Sequence, residues 1–449
     1  MSQDMRQQAT LGTRDRSNDD ARETPAPGRM LLVLPVPLLR FGGATFFETQ
    51  ACNGLERWAE HFENLTVAAP CIPRALADLD RTLEWRNTAK LSCVDRVDFV
   101  PLPWGYGLHS FARSYHAVRT QLRAEIARSE YLQFAIGGLV GDWAAVAALE
   151  AISQDRRFAL HTDRVEHRVI LETAQAAPIV RRLKTELIAR LMARYHAYLI
   201  RRCSLGLWHG LDCYESYAAW CSESHLIHDV HTSPKDNIEP SELEWKLECA
   251  AREPVLHVCY AGRLEAMKAP LDWVRAICKA RGLGARVKAT WFGDGTLRPA
   301  VERAISELGL QDVIDLPGNT GDRAALLAAI KRSHMMVFTH ITPESPRCLV
   351  EALICGSPIV GYECKYASDL ASKAGGGSFV PMRDWQSLGV RIAELAQNRA
   401  LLCALVRDAA SSGTHFNDVA VFRERSELIK RHAGRSTGVP LRPMAPLSA

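Results

Sequence analysis

The chain has 449 residues, 47% of them hydrophobic, with 29 glycines and 22 prolines, which excludes collagen-like and disordered classes and suffices for two cores with a cleft between them. A formal net charge of +4 is too small at this length to imply nucleic acid as a partner. Thirteen cysteines follow no repeated CxxC spacing and leave one over in any all-disulfide scheme, so reduced thiols in a cytoplasmic protein are expected, with Cys259 and Cys278 in the core.

Residues 1–28 are polar and mixed in charge and end in a proline-rich stretch, the composition of a disordered leader. The apolar run 30–39 resembles the core of a signal peptide, but Pro35 and Pro37 interrupt it, it lies late, and no small-residue cleavage pattern follows. A buried first strand at 31–34 is the better reading. No stretch approaches the roughly 20 consecutive apolar residues needed to span a bilayer.

Strand and helix signals then alternate as in parallel sheets covered on both faces. Helices are expected at 48–62, 110–129, 143–150 and 177–202, with strands at 65–69, 98–100 and 157–160 and an apolar run at 131–136. The stretch 203–228 is hard to divide. Residues 232–244 are polar and broken by Pro234 and Pro240, the best domain boundary. Beyond it, strands at 255–260, 286–292, 313–316, 335–338 and 358–361 alternate with helices at 269–281, 297–308, 323–331 and 349–355. The expected organisation is an N-terminal Rossmann-like domain at 29–235, a linker at 236–250, a C-terminal Rossmann-like domain at 251–412, a helical segment at 413–437 packing back on the first domain, and a flexible tail at 438–449.

The most informative stretch runs from Glu344 to Gly361. Two carboxylates, Glu344 and Glu351, surround a loop leading into a helix start, with Ser345, Arg347, Cys348 and Leu349 between them. A helix N-terminus favours an anionic ligand, and acids beside it can hold hydroxyl groups. A sugar nucleotide carries both kinds of group. Upstream, Tyr260-Ala261-Gly262-Arg263-Leu264 is followed by Lys268, then by Phe292-Gly293-Asp294-Gly295 and Leu316-Pro317-Gly318. Arg263 and Lys268 lie just after a strand end and can face one diphosphate, arginine as a planar fork and lysine as a mobile charge. The other reading is a solvated loop.

In order and spacing these motifs resemble the retaining family 4 glycosyltransferases of GT-B fold, two facing α/β Rossmann-like domains with an interdomain cleft. The resemblance covers most of the carboxyl half. It implies a glycosyltransferase moving a sugar, a hexose by expectation, from a UDP-sugar or GDP-sugar to an acceptor hydroxyl, without a tightly bound cofactor or a catalytic metal. It assigns Arg263 and Lys268 to the donor diphosphate, Glu351 to the ribose and Glu344 to the transferred sugar. Here six residues separate the glutamates where the family usually has seven, so Glu344 either reaches the sugar from a tighter loop or yields that contact to backbone or Arg347. Arg347 could instead recognise an anionic group on the acceptor. Gly293 and Asp294 either approach the donor or form a structural turn.

In the N-terminal half, Gly42 and Gly43 resemble the family's glycine loop facing the donor, and His161 matches a histidine beside the reacting sugar, though a loop hydrogen bond explains it too. Gly138, Asp142, Trp143, Asp163 and Arg164 are expected near the acceptor, a carbohydrate, a lipid-linked or a small molecule. His225, His228 and His231 recur at intervals of three without the partners of a zinc site. The basic and apolar helix 177–202 fits either an anionic membrane surface at the inner face of the membrane or an ordinary packed face. Two other functions remain open: an epimerase or phosphorolytic enzyme on the same architecture, and a nucleotide-sugar binding protein without turnover.

Overall fold

The first apolar run folds as Arg29–Val33, buried from Met30 onward, and lies inside a seven-stranded parallel sheet. This computed structural model describes residues 28–79, 83–174, 178–228, 230 and 232–435. The leader through residue 27, the tail at 438–449, and Asp229 and His231 lie outside the described residues.

In spatial order the first sheet runs Ser224–Ile227, Leu205–His209, Ala159–Thr162, Tyr131–Ala135, Arg29–Val33, Asn64–Pro70 and Val97–Leu102. Its central strands are apolar on both faces because helices cover both, so their sequences lack the alternation of a half-exposed strand. The alanine-rich helix Trp143–Ser153 is buried almost all round for the same reason. The stretch that resisted division resolves into the strands Leu205–His209 and Ser224–Ile227 around the helix Gly210–Tyr217.

Pro35 and Pro37 end the first strand. The chain then forms a small antiparallel sheet, with Leu38–Phe41 on Ala44–Glu48 and that strand on Trp85–Asn87. Gly42 and Gly43 make its tight turn at φ +58° and +77°, a pair of left-handed conformations that glycine adopts without cost.

The second sheet runs Ile314–Gly318, Val287–Phe292, Leu256–Ala261, Met335–Phe338, Ile359–Tyr362 and Gly377–Val380, again all parallel. The segment read as a linker at 236–250 is mostly the helix Pro240–Arg252. Its proline sits in the first turn, where a missing N–H costs nothing, so the residue that suggests a break also suits a start. Lys246 from this helix is 1% exposed and its Nζ donates to the carbonyls of Lys331 at 3.0 Å and Cys355 at 3.1 Å and to Ser357 Oγ at 2.6 Å. A cation thus closes two helix ends inside the second domain.

The last helix, Asp418–His432, crosses to the first domain. Arg57 Nε donates to Asp418 Oδ2 at 2.9 Å and Phe422 packs edge-on against Trp58 at 5.0 Å. The two sheets thereby form two Rossmann-like domains facing one another, with the carboxyl ends of their strands turned to the cleft, the position at which such sheets bind ligands.

Candidate active site

Lys268 sits in a single 3-10 turn, Ala266–Lys268, between the strand Leu256–Ala261 and the helix Pro270–Gly282. Ala269 takes a left-handed φ of +43° to join turn to helix, and Thr339 Oγ1 fixes the turn by donating to the Lys268 carbonyl at 2.8 Å. The lysine side chain is only 9% exposed, and its Nζ donates to Glu344 Oε1 at 2.7 Å. Arg263, at the mouth of the same loop, is exposed. One cation of the loop is therefore buried and the other accessible, and the buried one is paired with the glutamate that the family resemblance assigns to the sugar.

Glu351 lies in the helix Arg347–Ile354 and is 8% exposed. Its Oε1 accepts from Arg323 Nη1 at 2.8 Å. Arg323 opens the helix Arg323–Arg332, whose first turn Asp322 caps by accepting from Ala324 and Ala325 N–H. In the same helix as Glu351, Cys348 and Leu349 turn inward to the core. Burial pushes the Cys348 thiol up to about 12, away from the thiolate form. Pro346 supplies no side-chain acceptor to that helix's first turn. Beside Lys268, Tyr260 Oη lies 2.6 Å from His340 Nε2, and burial, aided by the nearby lysine, holds this histidine well below its usual range and neutral.

Gly293 and Asp294 form a tightly packed turn. A Cβ on Gly293 would lie 2.1 Å from the Gly262 carbonyl oxygen, so only glycine allows the two loops to meet. Asp294 Oδ1 accepts from the Gly295 N–H at 2.8 Å, bracing the turn.

In the first domain a cavity of about 610 Å³ opens at the strand ends. Of the residues expected near the acceptor and reacting sugar, Gly138, Asp142, His161, Asp163 and Arg164 line it, and Arg347 and Arg425 reach it from the second domain and the last helix. Asp142 is already occupied: it accepts from the N–H groups of Gly137, Gly138 and Ala145, each at 2.9 Å, and so shapes the glycine loop. Trp143 is core, 2% exposed, with Nε1 donating to the Pro103 carbonyl at 2.8 Å. Arg164 pairs with Glu166. Asp163 is exposed at the cavity wall. Gly42 and Gly43 sit at an exposed hairpin tip with open space around them.

The loop carrying Glu344 is stitched to the first domain. Its backbone bridges to Arg164, Ser345 Oγ donates to the His209 carbonyl at 2.9 Å, His209 Nε2 lies 3.1 Å from the Ser345 carbonyl, and Arg347 donates to Gln50 at 3.0 Å. Strand end 161–164 on one side and Glu344 on the other therefore share one wall of the cleft. His228 binds Asp369 at 2.6 Å, and among the described residues no group of three metal-ligating side chains occurs. No helix among them is long and apolar enough to cross a membrane.

Sequence reasoning missed Arg323, His209, Gln50 and the Tyr260–His340 pair. Arg323 carried a signal, a charged residue at a helix start just past Leu316-Pro317-Gly318. The others become visible only when two domains or two strands are placed side by side.

Residues 244–411 match the family model described as glycosyl transferases group 1. Among curated proteins no sequence matches. The fold is similar to Anabaena HepE solved with UDP and glucose, at 15% identity and TM-score 0.63 over 90% of this chain and 99% of that one. It is similar also to sucrose-phosphate synthase from Thermosynechococcus elongatus, at 13% identity and TM-score 0.63 over 90% and 98% of the chains. A glycosyltransferase from Rickettsia africae aligns at 14% identity and TM-score 0.59 over 90% and 98%. Over residues 244–411 the chain thus matches the glycosyl transferases group 1, and its two α/β Rossmann-like domains have the GT-B fold.

Proposed function

We propose that the protein is a glycosyltransferase that moves a sugar from a nucleotide-diphosphate sugar to an acceptor hydroxyl, with retention at the anomeric carbon. The observation that carries this reading is the buried contact of Lys268 with Glu344 at the cleft, with Arg263 exposed on the loop that carries Lys268. A lysine so placed can exchange one anion for another. When a donor enters, its diphosphate takes the ammonium, Arg263 closes on the same group, and the freed Glu344 accepts hydroxyls of the transferred sugar. Glu351, oriented by Arg323, receives the ribose hydroxyls.

As the anomeric bond breaks, charge builds on the leaving diphosphate, and the buried Lys268 ammonium, joined by Arg263, stabilises it more strongly than water does. The acceptor occupies the cavity beside His161 and Asp163, and its hydroxyl attacks from the side of the departing phosphate. His161 orients that hydroxyl or its neighbour on the sugar. HepE solved with UDP-glucose makes UDP-sugars the first donors to test, with GDP-sugars second.

The test is a mixed donor and acceptor library resolved by mass spectrometry, followed by NMR of the anomeric proton in the product. Transfer with retained configuration is expected. Sugar-nucleotide isomerisation, phosphorolysis, or donor binding with no turnover across a broad acceptor panel would each replace this assignment with another.

A further inference from the structure

The helix Ile179–Ile200 is apolar on two sides. Its inner side buries Met192, His196, Leu199 and Ile200 against the first domain. Its outer side carries Ile179, Val180, Leu183, Leu187 and Leu191, which are between 47% and 77% exposed. Steps of four from 183 to 191 place these side chains in one stripe, which nothing else among the described residues covers. A soluble surface helix turns one apolar stripe inward and polar residues outward, so a second stripe facing water signals a partner.

The charges say which partner. Arg190 and Arg194 flank the stripe, and Arg181, Arg182 and Lys184 surround the amino-terminal turns, all exposed. Among the described residues none of the five enters an ion pair. Leucines laid flat between basic side chains suit an interface whose interior is hydrocarbon and whose surface is anionic, where long basic side chains reach outward to phosphate groups. The same helix is too charged to cross a bilayer.

We propose that this outer face docks the protein on a bilayer containing anionic lipid. Docking would also orient the acceptor side. His196, on the inner face, lies 3.3 Å from the Gly138 carbonyl, and Gly138 lines the 610 Å³ cavity. On the glycosyl-transfer reading, the acceptor delivered there is lipid-linked.

Flotation of the full-length protein with vesicles tests the docking, using phosphatidylcholine alone or mixed with phosphatidylglycerol. Wild type should float with the mixed vesicles at low salt and progressively less as salt rises. Leu183→Ser/Leu187→Ser/Leu191→Ser alters only exposed side chains and should keep the melting temperature while lowering vesicle affinity by about tenfold or more. Arg190→Gln/Arg194→Gln should weaken binding and flatten its salt dependence. Wild type left unbound at low salt, equal binding by the leucine variant, or a dimer that the leucine variant dissolves in the absence of vesicle binding would overturn the proposal. Donor affinity measured in solution reads the catalytic assignment separately, so either can fail alone.

Discussion

Lys268 Nζ lies 2.7 Å from Glu344 Oε1, both side chains about nine-tenths out of water. A pair in that setting is held by mutual attraction at low dielectric and is damaged most by losing one member. Lys268→Met should therefore destabilise the fold by about 3 kcal/mol, leaving Glu344 buried without its cation. Pairing it with Glu344→Gln should recover part of that loss. Urea titration of the two single variants and the double variant measures the coupling; strictly additive losses would mean that the contact carries no energy.

Arg323 meets Glu351 at 2.8 Å, which makes it a positioning residue for a ribose-binding carboxylate. Arg323→Met should raise the donor KM by about tenfold, the loss of one charge-assisted hydrogen bond, with kcat little changed. Glu351→Gln should do the same or more. Steady-state kinetics against donor concentration decides it, and a fall in kcat at constant KM would place both residues elsewhere in the mechanism.

Gly210 takes φ +77°, and a Cβ there would lie 2.2 Å from Ser345 Oγ. Gly210→Ala should strain the backbone and push the Glu344 loop off the first domain, costing about 1–3 kcal/mol of stability together with activity. A calorimetric melting temperature equal to wild type would show that this seam is loose.

Burial, with cationic neighbours, pushes His334 down to about 3, far below the ordinary 6.5. Glu253 lies 3.4 Å from its Nε2, but that carboxylate is 41% exposed and screened while the imidazole is 1% exposed, so burial prevails. The unfolded chain takes up a proton below pH 6.5 that the folded chain refuses until about pH 3. Stability supplied by this group is thus complete above 6.5 and drains as pH falls toward 3, at about 1.4 kcal/mol per pH unit. His334→Asn keeps an acceptor for the His257 N–H and should flatten the dependence between pH 6 and about 4 in denaturant titrations. Parallel curves for wild type and variant would refute the assignment.

Much of the second domain was legible because each βα unit there has an apolar strand, a glycine turn and a helix start in immediate succession. The first domain was harder where burial on both faces erased periodicity, as at 205–209, and where Pro35 and Pro37 hid a hairpin behind the first strand. Pro240 read as a break because a proline at a helix start and a proline in a loop look alike until the helix is seen. Glu344 and Glu351 stood out as acids around a helix start. Their partners Lys268 and Arg323 lie 76 and 28 residues away in sequence, beyond the reach of local pattern. Asp142 and Trp143 are adjacent beside the glycine loop yet differ in place: Asp142 lines the first-domain cavity while its carboxylate caps backbone, and Trp143 packs in the core, a distinction that local pattern does not carry.

The most direct test is single-turnover glycosyl transfer by Arg263→Met/Lys268→Met under saturating donor, with circular dichroism confirming the fold. Loss of two cations from the leaving diphosphate should slow the chemical step by about a thousandfold or more. A rate within twofold of wild type would contradict the account.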